Sequence, residues 1–127
     1  ANPSVRFAAI EGAIASSKQL LRLQKDWDGE GAERITEATR EKTVAVLRSA
    51  ARVAYQRFAL VLPAPRLGPC RDGSIDIFFK TDRFTLLINV PAKPGISDFY
   101  VEKNGVEVRG PFNPDDPDFE FLYFLGQ

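Results

Sequence analysis

The chain has no histidine, no methionine, one cysteine and one tryptophan among its 127 residues. Without imidazole, the usual general base and the commonest metal ligand are missing, so acid–base or metal chemistry would fall to carboxylates alone. The lone Cys70 has no partner for an internal disulfide, and nothing points to an oxidising compartment. No apolar run approaches the roughly 20 residues of a membrane-spanning helix, and no opening stretch reads as a secretory signal. The expected location is the cytoplasm, without a membrane partner. Net charge is absent too: seventeen basic residues balance seventeen acidic ones. With no field favouring polyanions, nucleic acid is not an expected partner. G-x-S-x-G, P-loop and Cys/His metal spacings are all missing.

What is present is an ordinary globular composition, 44% hydrophobic and 27% charged, with ten Phe and three Tyr. That much aromatic surface offsets chain entropy when it is buried, which argues for a folded domain. The length suits a single domain, 1–127. Residues 4 to 60 contain no proline and follow helical spacing, whereas residues 63 to 117 hold eight of the nine prolines and alternate with period two. A first helix is expected over roughly residues 4 to 24, with Ile10, Ile14, Ser17 and Leu21 on one face. A second begins after Thr36 as N-cap, presents Val44, Leu47, Ala51, Ala54, Tyr55 and Phe58, and ends at Leu62 before Pro63 and Pro65. Glu37, Glu41, Arg48 and Arg52 line its opposing face in the order the helix dipole favours.

Beyond Pro65 the pattern predicts an antiparallel meander. Ile75, Ile77 and Phe79 alternate inward, as do Phe84, Leu86, Ile88 and Val90. Asp72-Gly73 and Asn104-Gly105 are hairpin turns, both pairs tolerating positive φ. The fold class is therefore α+β, with two N-terminal helices packed on one face of a four- to five-stranded meander sheet. The helical layer covers about 4–60, the sheet layer about 65–110, and an apolar segment about 118–125. Phe78, Leu87 and Tyr100 fall on the face opposite the inward set. The apolar segment Phe119 to Leu125 is expected to cover that same face. Alternatively it pairs across a subunit edge or enters another protein.

Between the helices lies Lys25-Asp26-Trp27-Asp28-Gly29-Glu30-Gly31-Ala32. Trp27 supplies large contact area with one N–H to satisfy, Asp28 suits an Asx turn, and Gly29 and Gly31 permit positive φ. The plain reading is a tight interhelical loop pinned by Trp27 under the sheet. As a calcium loop it fails in register, because Gly29 stands at position four and Glu37 at twelve. As a phosphate cradle it fails too, since Gly29-x-Gly31 follows a helix rather than a strand. The remaining functional reading is a partner contact with Trp27 as anchor.

The pattern Trp-Asp-Gly-x-Gly-Ala, Trp27 to Ala32, resembles a widespread group of small bacterial proteins. In that group the motif sits between two helices, with a Pro-rich joint and an Asp-Gly-containing β region behind, as at Pro63 to Ile77. The resemblance spans about residues 20 to 105 and is most specific at the Trp27 loop and Asp72-Gly73. It implies an accessory protein of a mobile or defence-type locus, with a toxin-neutralising or partner-binding role. Glu30 stands where an aromatic residue is common in the group.

The sequence thus favours a non-enzymatic protein-interaction module, through a protein partner or self-association. Its contact residues would be Trp27, Asp28, Gly29, Gly31, Phe78, Leu87 and Tyr100. No catalytic residue, metal or cofactor is assigned. The alternative is a small metal-dependent hydrolase using Asp26, Asp28 and Glu30, or the cluster Asp115, Asp116 and Asp118.

Overall fold

The computed structural model describes residues 3–126. The first helical stretch is three pieces: α1 Pro3–Arg6, α2 Ala8–Ser16, and a 3-10 segment Ser17–Arg22. Phe7 breaks the first two apart with φ −109° and ψ 10°. The tightening at Ser17 has a local cause. Its buried hydroxyl donates to the Ile14 carbonyl and accepts from Arg40 Nε at 2.9 Å, while Arg40 Nη2 donates to the same carbonyl at 2.9 Å. These competing donors draw the Ile14 carbonyl away from regular helical pairing. Ile10, Ile14 and Ser17 are buried as their spacing predicts. Leu21 is only half-buried, because three residues per turn rotate it off the face that 3.6 would have given it.

Helix α3, Glu37–Phe58, starts as the sequence implies: the Thr36 hydroxyl accepts the Thr39 amide at 3.1 Å. It stops before Leu62, because Ala59 turns left-handed at φ 52° and the Leu60 amide reaches back to the Ala54 carbonyl at 3.0 Å. This αL cap closes the helix ahead of the prolines. Its inward line is built largely from small residues, Thr39, Thr43, Ala50, Ala51 and Ala54, with Val46 and Leu47 between them. α3 lies against β2 and β3, while α2 and the 3-10 segment lie against α3.

The sheet is a five-stranded antiparallel meander in the order β1-β2-β3-β4-β5. Its strands are β1 Arg66–Pro69, β2 Ile75–Lys80, β3 Thr85–Val90, β4 Ser97–Lys103 and β5 Val106–Phe112. Asn104 and Gly105, at φ 55° and 80°, make the two-residue β4–β5 turn. Ile77, Phe79, Leu86, Ile88, Val90, Val101 and Phe112 point into the core with the inward side chains of α2 and α3, and Ile75 is buried on the same face.

The apolar C-terminal segment does not cover the face expected of it. Phe119, Phe121, Leu122 and Leu125 of this segment, which includes α4 Leu122–Leu125, join the helix-side core instead. Phe121 stacks on Phe99 with centroids 4.2 Å apart, Phe119 lies 5.7 Å from Phe112, and Tyr123 meets Phe58 edge-on at 5.8 Å. The reason lies in the strand pleat: Phe99 and Phe112 face the helices, while Tyr100 faces away. One long helix on β2 and β3 leaves room on the inner side of β4 and the Phe112 end of β5, and the C-terminal rings fill it. Lys103 Nζ donates to the Leu125 carbonyl at 3.1 Å, tying β4 to the end of α4. Ion pairs Arg57–Glu120 at 2.9 Å and Lys42–Asp115 at 3.8 Å join α3 to the C-terminal region. Both involve exposed carboxylates and add little to stability.

Candidate interaction surfaces

Two places carry the residues singled out from the sequence. The first is the Trp27 loop. Asp26 adopts φ 67°, its amide donates to the Ala32 carbonyl at 2.7 Å, and its carboxylate accepts the Gly31 amide at 2.6 Å. Asp28 Oδ1 accepts the Glu30 amide at 2.8 Å and the Ala32 amide at 3.0 Å. Trp27 Nε1 donates to the Glu33 carbonyl at 2.9 Å. Gly29 and Gly31 take φ 75° and 87°, which ordinary side chains rarely adopt. Trp27 is half-buried and stands apart from the main core, rather than under the sheet.

The loop is stitched to the β1–β2 turn, more than forty positions along the chain. Arg71 Nε pairs with Asp28 Oδ2 at 2.9 Å, Arg71 Nη2 donates to the Glu30 carbonyl at 2.7 Å, and the Glu33 amide donates to the Arg71 carbonyl at 2.8 Å. Asp72 accepts both the hydroxyl and the amide of Ser74, closing the turn. The Trp-centred loop and the Asp72-Gly73 turn are one assembly in space.

These bonds set the acidity of the assembly. The Glu30 and Ala32 amides and the Arg71 guanidinium hold the Asp28 carboxyl below the usual carboxylate range, the Glu30 amide contributing most. The Ser74 hydroxyl, then its amide, does the same for Asp72. Carboxyls whose folded pKa is depressed stabilise the fold above their unfolded value of about 3.9, and lose that contribution as pH falls through the folded value. Trp27 emission in the native protein is therefore expected to hold steady from neutrality down to about pH 4 and to change only below it. An acid transition centred near pH 6 would show that these carboxyls do not control the loop.

Burial pushes the Cys70 thiol up, and nearby Asp76 and Asp72 add to that against an opposing bond from Ser74. A raised thiol is a poor nucleophile at neutral pH. In the acidic run after β5 the Asp115 amide donates to Asn113 Oδ1 and Asp118 accepts the Glu120 amide, each at 3.0 Å, while the Asp115 carboxylate pairs with Lys42. Among the described residues, no group of three or more His, Cys, Asp or Glu side chains is placed to hold a metal ion.

The second place is the sheet face turned away from the helices. Register puts Arg66 opposite Phe78, Phe78 opposite Leu87, Leu87 opposite Tyr100 and Tyr100 opposite Arg109. One unbroken row thus crosses all five strands. Its end guanidiniums lie over its aromatic rings, Arg66 5.1 Å from the Phe78 centroid and Arg109 4.8 Å from that of Tyr100. Tyr100 Oη donates to Glu107 at 3.0 Å. Burial first, then Glu107, raises the Tyr100 phenol, which stays neutral. Phe78, Leu87 and Tyr100 are half-buried and lie outside the core. A shallow open hollow of about 230 Å³ beside Leu87, Asp98, Tyr100 and Arg109 marks one end of the row.

The residues expected to form one contact set therefore divide in two. Trp27, Asp28, Gly29 and Gly31 sit by the β1–β2 turn, whereas Phe78, Leu87 and Tyr100 cross the middles of the strands. The sequence reading missed Arg66, Arg109 and the stitching Arg71. Counting outward from Asn104-Gly105 would have placed Arg109 opposite Tyr100, whereas the same count from Asp72-Gly73 falls one residue out, because the β1–β2 pairs centre on Asp72 and so set Arg66 opposite Phe78. No family model, curated protein or solved structure matches the chain.

Proposed function

We propose that this protein is a non-enzymatic interaction module of the cytoplasm that binds a protein partner through the open face of its sheet. The observation that carries the reading is the row Arg66–Phe78–Leu87–Tyr100–Arg109, with α3 and the C-terminal rings packed on the other side. Aromatic and Arg side chains are the residue types that dominate protein interfaces. With strands about 4.8 Å apart, the end arginines stand roughly 19 Å from one another across the row. Each guanidinium rests on a ring and keeps N–H groups free at its edge for carboxylates. The fitting partner presents an apolar ridge with an acidic group at either end.

Acids at Asp76, Asp98, Glu102 and Glu107 share this face with the arginines, which favours a protein over a polyanion. In this reading the Trp27 loop is a structural brace, because its polar groups are spent on the chain's own backbone and on Arg71. An accessory or antitoxin-like role at a mobile or defence-type locus is the biological setting we infer from the resemblance of that loop. Against the hydrolase alternative, the Asp26, Asp28 and Asp118 carboxylates accept loop amides and those of Glu30 and Asp115 pair with Arg71 and Lys42.

Immobilised protein is expected to retain one stoichiometric protein from lysate of the source cell. Replacing Phe78 and Tyr100 together with Ser is expected to weaken that capture ten-fold or more while the protein stays folded. Retention unchanged by the double substitution, or an eluate holding only the bait, would overturn the reading.

A further inference from the structure

The two edges of the sheet are not equivalent. β1 is four residues long, ends on Pro69 and follows Pro65, so it offers little to another strand. β5 is seven residues long, and among the described residues no strand pairs with its outer side. Val106 and Val108 on this strand are 53% and 38% exposed.

The hairpin register decides which backbone groups that edge presents. A two-residue turn makes Lys103 and Val106 a hydrogen-bonded pair, and antiparallel pairs then alternate. Val106, Val108, Gly110 and Phe112 therefore direct their amides and carbonyls toward β4, and Glu107, Arg109 and Pro111 direct theirs outward. Pro111 has no N–H, so the free edge is a short window centred on Val108 with full donor and acceptor groups at Glu107 and Arg109.

We propose that this window pairs with the same window of a second copy, joining two sheets into one ten-stranded sheet about a two-fold axis at Val108. Antiparallel pairing of identical strands must oppose outward residues to outward residues. Centred on residue 107 it sets Glu107 against Glu107, and centred on residue 109 it sets Arg109 against Arg109. Only the pairing centred on Val108 sets Glu107 of each copy against Arg109 of the other, twice, with no proline in a bonded position. Opposite charges at directly facing positions favour a pairing and like charges oppose it. The same register places Val108 against its own copy and Val106 beside Gly110, bringing the four exposed valines together. A point-symmetric contact of this kind closes at two copies.

Sedimentation of the full chain at tens of micromolar is expected to give twice the 14.1 kDa chain mass. Glu107→Arg or Arg109→Glu alone is expected to weaken dimerisation ten-fold or more, and the two together to restore it. That rescue is particular to this register. Arg109→Pro, which removes an outward N–H at a position equivalent to that of Pro111, is expected to give a folded monomer by circular dichroism. A monomeric wild-type chain at this concentration would overturn the proposal. A dimer indifferent to both charge reversals would do the same. So would a dimer lost instead on replacing Phe78 and Tyr100 with Ser, since that result assigns self-association to the open face.

Discussion

Phe112→Ala is expected to destabilise the protein by about 3–5 kcal/mol, the usual cost of emptying a fully buried aromatic position. Phe112 is 1% exposed at the end of β5. Its ring lies 5.7 Å from that of Phe119 and 6.3 Å from that of Phe121. Phe121 in turn stacks on Phe99, whose edge occupies the place a side chain at Gly110 would need, 2.6 Å from where its Cβ would stand. Truncation at Phe112 thus removes the anchor of the C-terminal segment as well as its own buried area. Urea unfolding of the variant is expected to show a lower midpoint. Tyr100→Ala, on the opposite side of the same hairpin, is expected to move that midpoint much less. A Phe112→Ala midpoint close to wild type would mean that the C-terminal segment does not pack on β5.

Gly73→Val is the second large effect, and its origin is strain. Gly73 stands at φ +87°, buried at the β1–β2 turn, and a Cβ there would meet Ala92 Cβ at 3.4 Å, with the Arg34 carbonyl and Glu33 Cβ at 3.5 Å. A β-branched residue at positive φ is a backbone outlier costing about 1–3 kcal/mol, and its extra methyls have no room in the contact with Glu33 and Arg34. The turn would be expected to pull away from the loop, breaking the bonds from Arg71 to Asp28 and Glu30. The readouts are a lowered melting temperature and Trp27 emission altered below the melting range. A variant with wild-type stability and emission would show that the turn and loop are not held together.

The sheet was legible in the sequence because period-two alternation sets the faces of its strands and Asn104-Gly105 sets the β4–β5 register, while the β1–β2 connection carries one residue more than Asp72-Gly73 implies. Ile75, Ile77 and Phe79 went inward and Phe78, Leu87 and Tyr100 outward by parity. The ends of the helices were less legible, since they depend on distant groups. The 3-10 segment after Ser16 follows from Arg40 reaching the Ile14 carbonyl across 26 positions, and no local pattern announces that. The C-terminal segment misled for the same reason. Its composition states that it must be buried but carries no period to say against which side. Asp28 illustrates a third limit: an acid in a glycine loop reads equally as ligand or brace until Arg71 is seen beside it.

The small residues along the inner line of α3 divide the labour of filling the interior unequally. Ala50, Ala51 and Ala54 are at most 3% exposed and let the helix axis settle close to the strands. Bulk is supplied from the other side, by Phe79, Phe112 and the C-terminal rings. The two layers therefore tolerate opposite kinds of drift. A position on α3 has no room to grow, and a position on the sheet leaves a void if it shrinks. Change across this boundary is open mainly to exchanges in which one side gives up the volume the other takes.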